Sequence, residues 1–312
     1  MALLHRDIAA ALQKVLPPST ARLQPALVRD IWAVSLWLKT TTLLDTILLD
    51  EAQARALAAA FDEIKDLRPK DNKLVVLHEP ISGQTLVGTT FYLFGLISKA
   101  EKRPFCRYLD VSGKEPVLLA INNRPPQVGD LQYQILATFG AGGGGMESFA
   151  SFILLKLKEN QSPQALIPFV GYYLDYPVAY SVGECLTPAI QDVEEEQRSN
   201  CLGDVDLTVF SAQWTEDDSL SGYKRAQDAS PWHPLFSFSV PTSLLPSLAA
   251  RPTSVPAGEI QTVEEEIREL VRQRVRSLRL QAPKGKLQQK WSKSVKVEVE
   301  VKSGVRLDRV AL

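Results

Sequence analysis

The chain has 312 residues, 45% of them apolar and 23% charged, with a formal net charge of −1. These proportions exclude wholesale disorder, and the length allows one large domain or two smaller ones. The three cysteines (Cys106, Cys185, Cys201) lack CxxC spacing, which excludes a disulfide framework and fits a reducing compartment, the cytoplasm or nucleus.

The histidines His5, His78 and His233 are isolated from one another and from the cysteines. Zinc-type sites need four ligands, usually in short paired spacings, so no metal and no cofactor is expected. Uninterrupted apolar runs of about 18 residues are absent, so no transmembrane segment is expected either.

At the N-terminus, Leu4, Ile8, Leu12 and Val15 have helical spacing. Arg6, Lys14 and Arg22 make a mitochondrial targeting helix the lesser alternative to a plain first helix. Pro17 and Pro18 stop that helix. Ile31 to Leu38 is apolar on both faces and rich in β-branched and aromatic residues, which predicts a strand buried on both sides. Asp50 is an N-cap with Gln53 three residues on, a capping box opening an alanine-rich helix to about Asp66. Leu74 to Leu77 reads as the next strand.

Further strands are predicted at Phe105 to Asp110, Val117 to Ile121 and Tyr133 to Phe139, all short apolar runs bounded by Gly, Pro, Asn or charge. A helix is predicted over Met146 to Lys158. Three more strands are predicted at Phe169 to Leu174, Leu207 to Phe210 and Leu235 to Val240. Residues 192–200 and 215–230 read as surface segments. The proline-punctuated stretch 241–259 reads as a linker or meandering loop.

Thr262 and Glu265 form a second capping box, and Ile267, Leu270, Val271 and Leu278 mark the apolar face of the helix it opens. Val295 to Val301 alternates valine with Lys296, Glu298 and Glu300, a half-exposed strand whose charges protect an edge. The fold class is therefore α/β, with mixed α+β possible: a central mixed β-sheet with flanking helices and a C-terminal helix-plus-strand element. The domain reading is a main domain over 1–245, a proline-rich linker or loop over 246–259, and the helix, basic segment and strand over 260–312.

Three constellations could carry chemistry. In FGAGGGGMES, Gly140, Gly142 and Gly145 fit GxGxxG between a predicted strand and a predicted helix, the context in which backbone approaches a phosphate. Glu159 falls near the distance expected of a ribose-binding acid. A four-glycine run satisfies the pattern cheaply, however, and no Lys-Ser or Lys-Thr follows it. In AYSVG, Ser181 resembles a nucleophile elbow with alanine for the first glycine, followed by Asp204 or Asp206 and then His233 in acyl-hydrolase order. The spacings are short, and Pro188 would disturb the helix behind the elbow. From Arg272 to Lys296 there are nine Lys or Arg residues and no acid. Such a stretch could track the phosphates of nucleic acid or another polyanion, with Trp291 available to stack on a base.

The segments DIWAVSLWLKTTTLLD (from Asp30), FVGYYLDYPVAY (from Phe169), NCLGDVDLTVF (from Asn200) and PLFSFSVP (from Pro234) occur in an order that resembles an uncharacterised eukaryotic family, first described as an open reading frame of human chromosome one. The resemblance implies a domain of unknown function and carries over no reaction, cofactor or catalytic residue. The shortage of convergent titratable groups favours a non-enzymatic interaction or binding protein with a protein partner. The alternative is a nucleotide- or phosphate-binding enzyme using Gly140 to Gly145, with a serine hydrolase at Ser181 behind it.

Overall fold

The computed structural model describes residues 2–64, 73–93, 106–120, 124–140, 150–159, 161, 163–182, 202–203, 205–215, 232–249, 262–281 and 292–306. In chain order the elements are α1 (Ala2–Val15), α2 (Gln24–Ser35), β1 (Thr41–Leu43), α3 (Glu51–Asp62), β2 (Leu74–His78), β3 (Thr85–Thr89), β4 (Arg107–Asp110) and β5 (Val117–Leu118). They continue with α4 (Pro126–Gly140), β6 (Phe152–Leu154), α5 (Ile167–Tyr173), β7 (Val178–Ser181), β8 (Leu207–Thr215), β9 (His233–Pro241), α6 (Leu245–Ala249), α7 (Val263–Gln281) and β10 (Lys296–Val305). The mixed α/β class holds.

Among the described residues the strands form three sheets, ordered β1-β3-β2-β6, β5-β4-β7 and β10-β8-β9. The first two are mixed, through the parallel pairs β2/β6 and β4/β7, and the third is antiparallel. Strand alternation divides the interior between two cores. On β2, Leu74 and Val76 join the core of α1, α2, α3, β8, β9 and α7, while Val75 and Leu77 face the core of α4 and α5.

Three predicted strands are helices. Of the run Ile31 to Leu38, the part up to Ser35 falls in α2, where Ile31, Trp32, Ala33 and Val34 are all no more than 1% exposed, and the rest turns away after the helix. A helix buried all round shows no polar stripe and reads like a doubly buried strand. The same ambiguity misplaces Phe169 to Leu174, since Pro168 to Tyr173 are all buried in α5. Tyr133 to Phe139 lies in α4, whose buried Val128, Leu131 and Ile135 follow helical spacing. Pro126 at its first position is pre-set for a helix. The predicted helix from Met146 to Lys158 instead contains β6, and residues 141–149 lie outside the described residues.

Local chemistry elsewhere agrees with the sequence. Asp50 accepts from the Gln53 amide at 2.7 Å while the Gln53 side chain accepts from Asp50 N–H at 3.0 Å, which satisfies two donors at the start of α3. Thr262 and Glu265 make the same reciprocal pair at α7.

Two ion pairs hold α7 to the body. Glu266 accepts both guanidinium arms of Arg107 on β4 at 2.7 Å. About two turns of α7 further on, Arg274 donates to Asp175 at 2.5 Å and to the Thr40 hydroxyl, with its guanidinium 4.1 Å from the Tyr92 ring centre. Burial alone would pull the Arg274 pKa down, but the Asp175 charge and Tyr92 hold it above its ordinary value. Trp37 and Asp175, both beside this cluster in sequence or contact, have left-handed φ angles of 66° and 64°.

Candidate binding site at the start of α4

At the N-terminal end of α4, polar groups enter an apolar core. The helix is amphipathic, yet two of the residues bounding its buried face are glutamines, Gln127 and Gln132, 6% and 5% exposed. Arg124, just before the two prolines that start the helix, donates through one arm to Gln132 Oε1. Its guanidinium lies 5.3 Å from the ring centre of Tyr172, the penultimate residue of α5. From β4 comes Tyr108, 6% exposed, with Arg124, Tyr172 and Cys106 as its electrostatic neighbours. Burial is the largest cause pushing the Tyr108 pKa well above its ordinary value.

These groups are under-satisfied. Among the described residues, buried Arg124 Nε, Gln127 Oε1 and Gln132 Nε2 have no hydrogen-bond partner, and Tyr108 Oη has none apart from a sulfur. The thiol of Cys106 lies beside the Tyr108 hydroxyl, but sulfur is a weak partner. Each orphaned buried group costs roughly 1–3 kcal/mol, and native structures hold few of them. Arg124 also has no carboxylate partner among the described residues; the nearby acid of the helix, Asp130, pairs with Lys158 at 2.6 Å. A part-buried cation without a carboxylate partner among the described residues, beside several unused polar atoms, singles this place out as the candidate site.

The residues singled out from sequence do not converge. Ser181 ends β7, is 5% exposed and pairs across the ladder with Asp110. The neighbouring Tyr180 hydroxyl donates to the Ser239 carbonyl on β9 at 2.7 Å. His233 is six residues from Ser239, on the order of 20 Å along an extended strand. It packs against Trp214 with ring centres 5.3 Å apart. Asp206 precedes Leu207, which pairs with Pro241, whereas His233 pairs with Trp214. Asp206 and His233 are therefore at opposite ends of one ladder, roughly 25 Å apart, and Asp206 bonds Arg306 at 2.7 Å. Asp204 lies outside the described residues.

Gly140 is the last residue of α4, and Gly142 and Gly145 lie outside the described residues. Among the described residues a helix precedes the run and a strand follows it, the reverse of the strand–loop–helix order a dinucleotide fingerprint requires. Glu159 is exposed in a turn after β6. In the basic stretch, Arg272 pairs with Glu269 at 3.0 Å and Arg274 is buried against Asp175. Trp291 and the lysines of residues 282–290 lie outside the described residues.

The sequence carried a usable sign of the α4 site that its reading as a strand concealed. Pro125-Pro126 marks a helix start, Arg124 stands immediately before it, and Gln127 and Gln132 interrupt the helical series Val128, Leu131, Ile135.

No curated protein and no solved structure matches the chain. No helix among the described residues is long and apolar enough to cross a membrane. One family model does match, over residues 9–282, and with most of its length covered the chain belongs to the family of the domain of unknown function DUF4504.

Proposed function

We propose that this protein works by binding, as a non-enzymatic protein of the cytoplasm or nucleus, and that it seats a small polar ligand at the N-terminal end of α4. The observation that carries this reading is the cluster of buried groups with unused hydrogen-bonding capacity at Tyr108, Arg124, Gln127 and Gln132. The three histidines, the residue type that general acid–base chemistry most often recruits, each lie against a neighbour in the fold. His5 stands edge-on to Trp32, His78 bonds Thr85 at 2.9 Å within the β2–β3 hairpin, and His233 packs on Trp214.

The test is a thermal-shift screen of the full chain against organic acids, phosphate monoesters, amides and polyols, run beside the double variant Tyr108→Phe/Gln132→Leu. A ligand that binds the folded state raises the melting temperature by mass action. The expected result is a shift with at least one class, abolished in the double variant. The reading is overturned if no class shifts the protein and the double variant melts higher than wild type, because the polar groups would then be packing defects alone.

A further inference from the structure

We infer that the α4 site takes a small anion, a carboxylate or a phosphate monoester, with Arg124 as its counter-ion; this rests on the binding reading above. The orientation of Gln132 decides the sign of the site. An arginine can only donate, so the Gln132 oxygen must face the guanidinium, and the Gln132 NH₂ is left as a donor. Its Nε2 has no partner among the described residues, the same holds for the Arg124 Nε–H, and the Tyr108 hydroxyl has only the weak Cys106 sulfur beside it. All three can donate, and a ligand that meets three donors must present acceptors. Gln127 lies about 140° around the helix from Gln132 at 100° per residue, so it flanks the other side of the buried face.

Charge points the same way. The first turn of α4 carries no acid, and Asp130, in the turn after it, pairs with Lys158 at 2.6 Å. The 15-residue α4 adds the positive end of its dipole, where anions are favoured. Pro126 has no N–H to offer, and the Val128 N–H is used by the Pro125 carbonyl at 3.0 Å. The side chains of Arg124, Gln132 and Tyr108 therefore supply the main contacts. A neutral ligand would satisfy the donors and leave the guanidinium without a counter-charge in a part-buried place. An anion does both, and Tyr172 supports the guanidinium from below as a ring platform.

The experiment is titration calorimetry of the full chain with inorganic phosphate, succinate and the neutral isostere succinamide, at matched ionic strength. Phosphate or succinate is expected to bind, and the two arms separate a phosphate from a carboxylate ligand. Arg124→Met is expected to weaken that binding by about 10- to 100-fold, the worth of a charge-assisted hydrogen bond. Arg124→Lys should retain part of it. A second variant does not depend on Arg124 surviving substitution. Gln132→Glu places a carboxylate where the amide oxygen already meets the guanidinium, so it should raise the melting temperature and abolish anion binding.

If succinamide binds as tightly as succinate, or Arg124→Met leaves succinate and phosphate binding unchanged, the anion inference falls and the binding reading stands. Gln132→Glu behaving as a destabilising buried acid also overturns the inference. If none of the three probes binds and Tyr108→Phe/Gln132→Leu melts higher than wild type, both fall.

Discussion

Replacing Asp175 by asparagine tests whether the contact between α7 and the body is an energetic unit. Asp175 has a left-handed φ of 64°, a region that asparagine enters about as readily as aspartate, so the backbone is spared. What is lost is the charge. The side chains of Arg274 and Asp175 are only 10% and 9% exposed, and the pair lines a small cavity with Lys39 and Val271. Asp30, the acid on neighbouring Lys39 at 2.5 Å, is already engaged and so is not free to take the place of Asp175. Removing one partner of a buried pair leaves an uncompensated charge and costs about 3–5 kcal/mol. That is a large share of the roughly 5–15 kcal/mol by which a domain is stable. Urea unfolding followed by circular dichroism should show this loss for Asp175→Asn. The double variant Asp175→Asn/Arg274→Met should recover most of it, because two well-packed neutral groups no longer oppose each other's burial. A loss below about 1 kcal/mol in Asp175→Asn would refute the argument, since a screened pair near solvent is worth no more than that.

Other perturbations test separate parts of the fold. A Cβ on Gly171 would lie 2.6 Å from the Ala179 Cβ, so Gly171→Ala should destabilise by about 1–3 kcal/mol in the same assay, and Ala179→Gly should restore it. His78 has its pKa held below 6.5, chiefly by burial, against the opposing charges of Glu79, Glu51 and Asp50. The unfolded chain therefore takes up a proton first. The stability this group contributes is complete above the unfolded value of about 6.5 and is lost as pH falls from there toward the folded value. Melting temperatures from pH 7.5 to 5 should fall on acidification, with a shallower fall in His78→Asn; an unchanged slope would show that His78 is not responsible. On β10, an edge among the described residues, Lys296, Glu298, Glu300 and Lys302 are exposed. Glu298→Val/Lys302→Val should promote self-association in light scattering, because it removes the charges that oppose edge pairing.

The elements legible in the sequence were those whose two sides differ. β10 alternates valine with charge, α7 carries an apolar stripe opposite arginines, and the two capping boxes are spelled out in side chains that bond their own backbone. Those misread were buried on nearly every side. Ile31 to Val34 and Pro168 to Tyr173 offer no polar face from which a period of 3.6 could be told from one of 2. α4 was misread for another reason: its run from Tyr133 includes the exposed Tyr133 and Leu136, which break the expected contrast between the helix faces. The Arg274–Asp175 and Arg107–Glu266 pairs were beyond sequence reasoning, since their partners stand 99 and 159 residues apart.

The direction of α4 ties the misreading of the fold to the choice of site. Read as a strand followed by a glycine loop and a helix, this region places an anion at the glycines, where the next helix would begin. As a helix ending at Gly140, it turns the argument round. The glycines then follow the C-terminal end of α4, where the helix dipole disfavours negative charge. Fifteen residues at 1.5 Å each put the opposite, positive end about 20 Å away. That end is where Arg124 stands without a carboxylate among the described residues, and where the orphaned donors of Gln132 and Tyr108 are found. The same helix thus removes support from the glycine run and supplies it to Arg124, so an anion bound along α4 belongs beside the arginine.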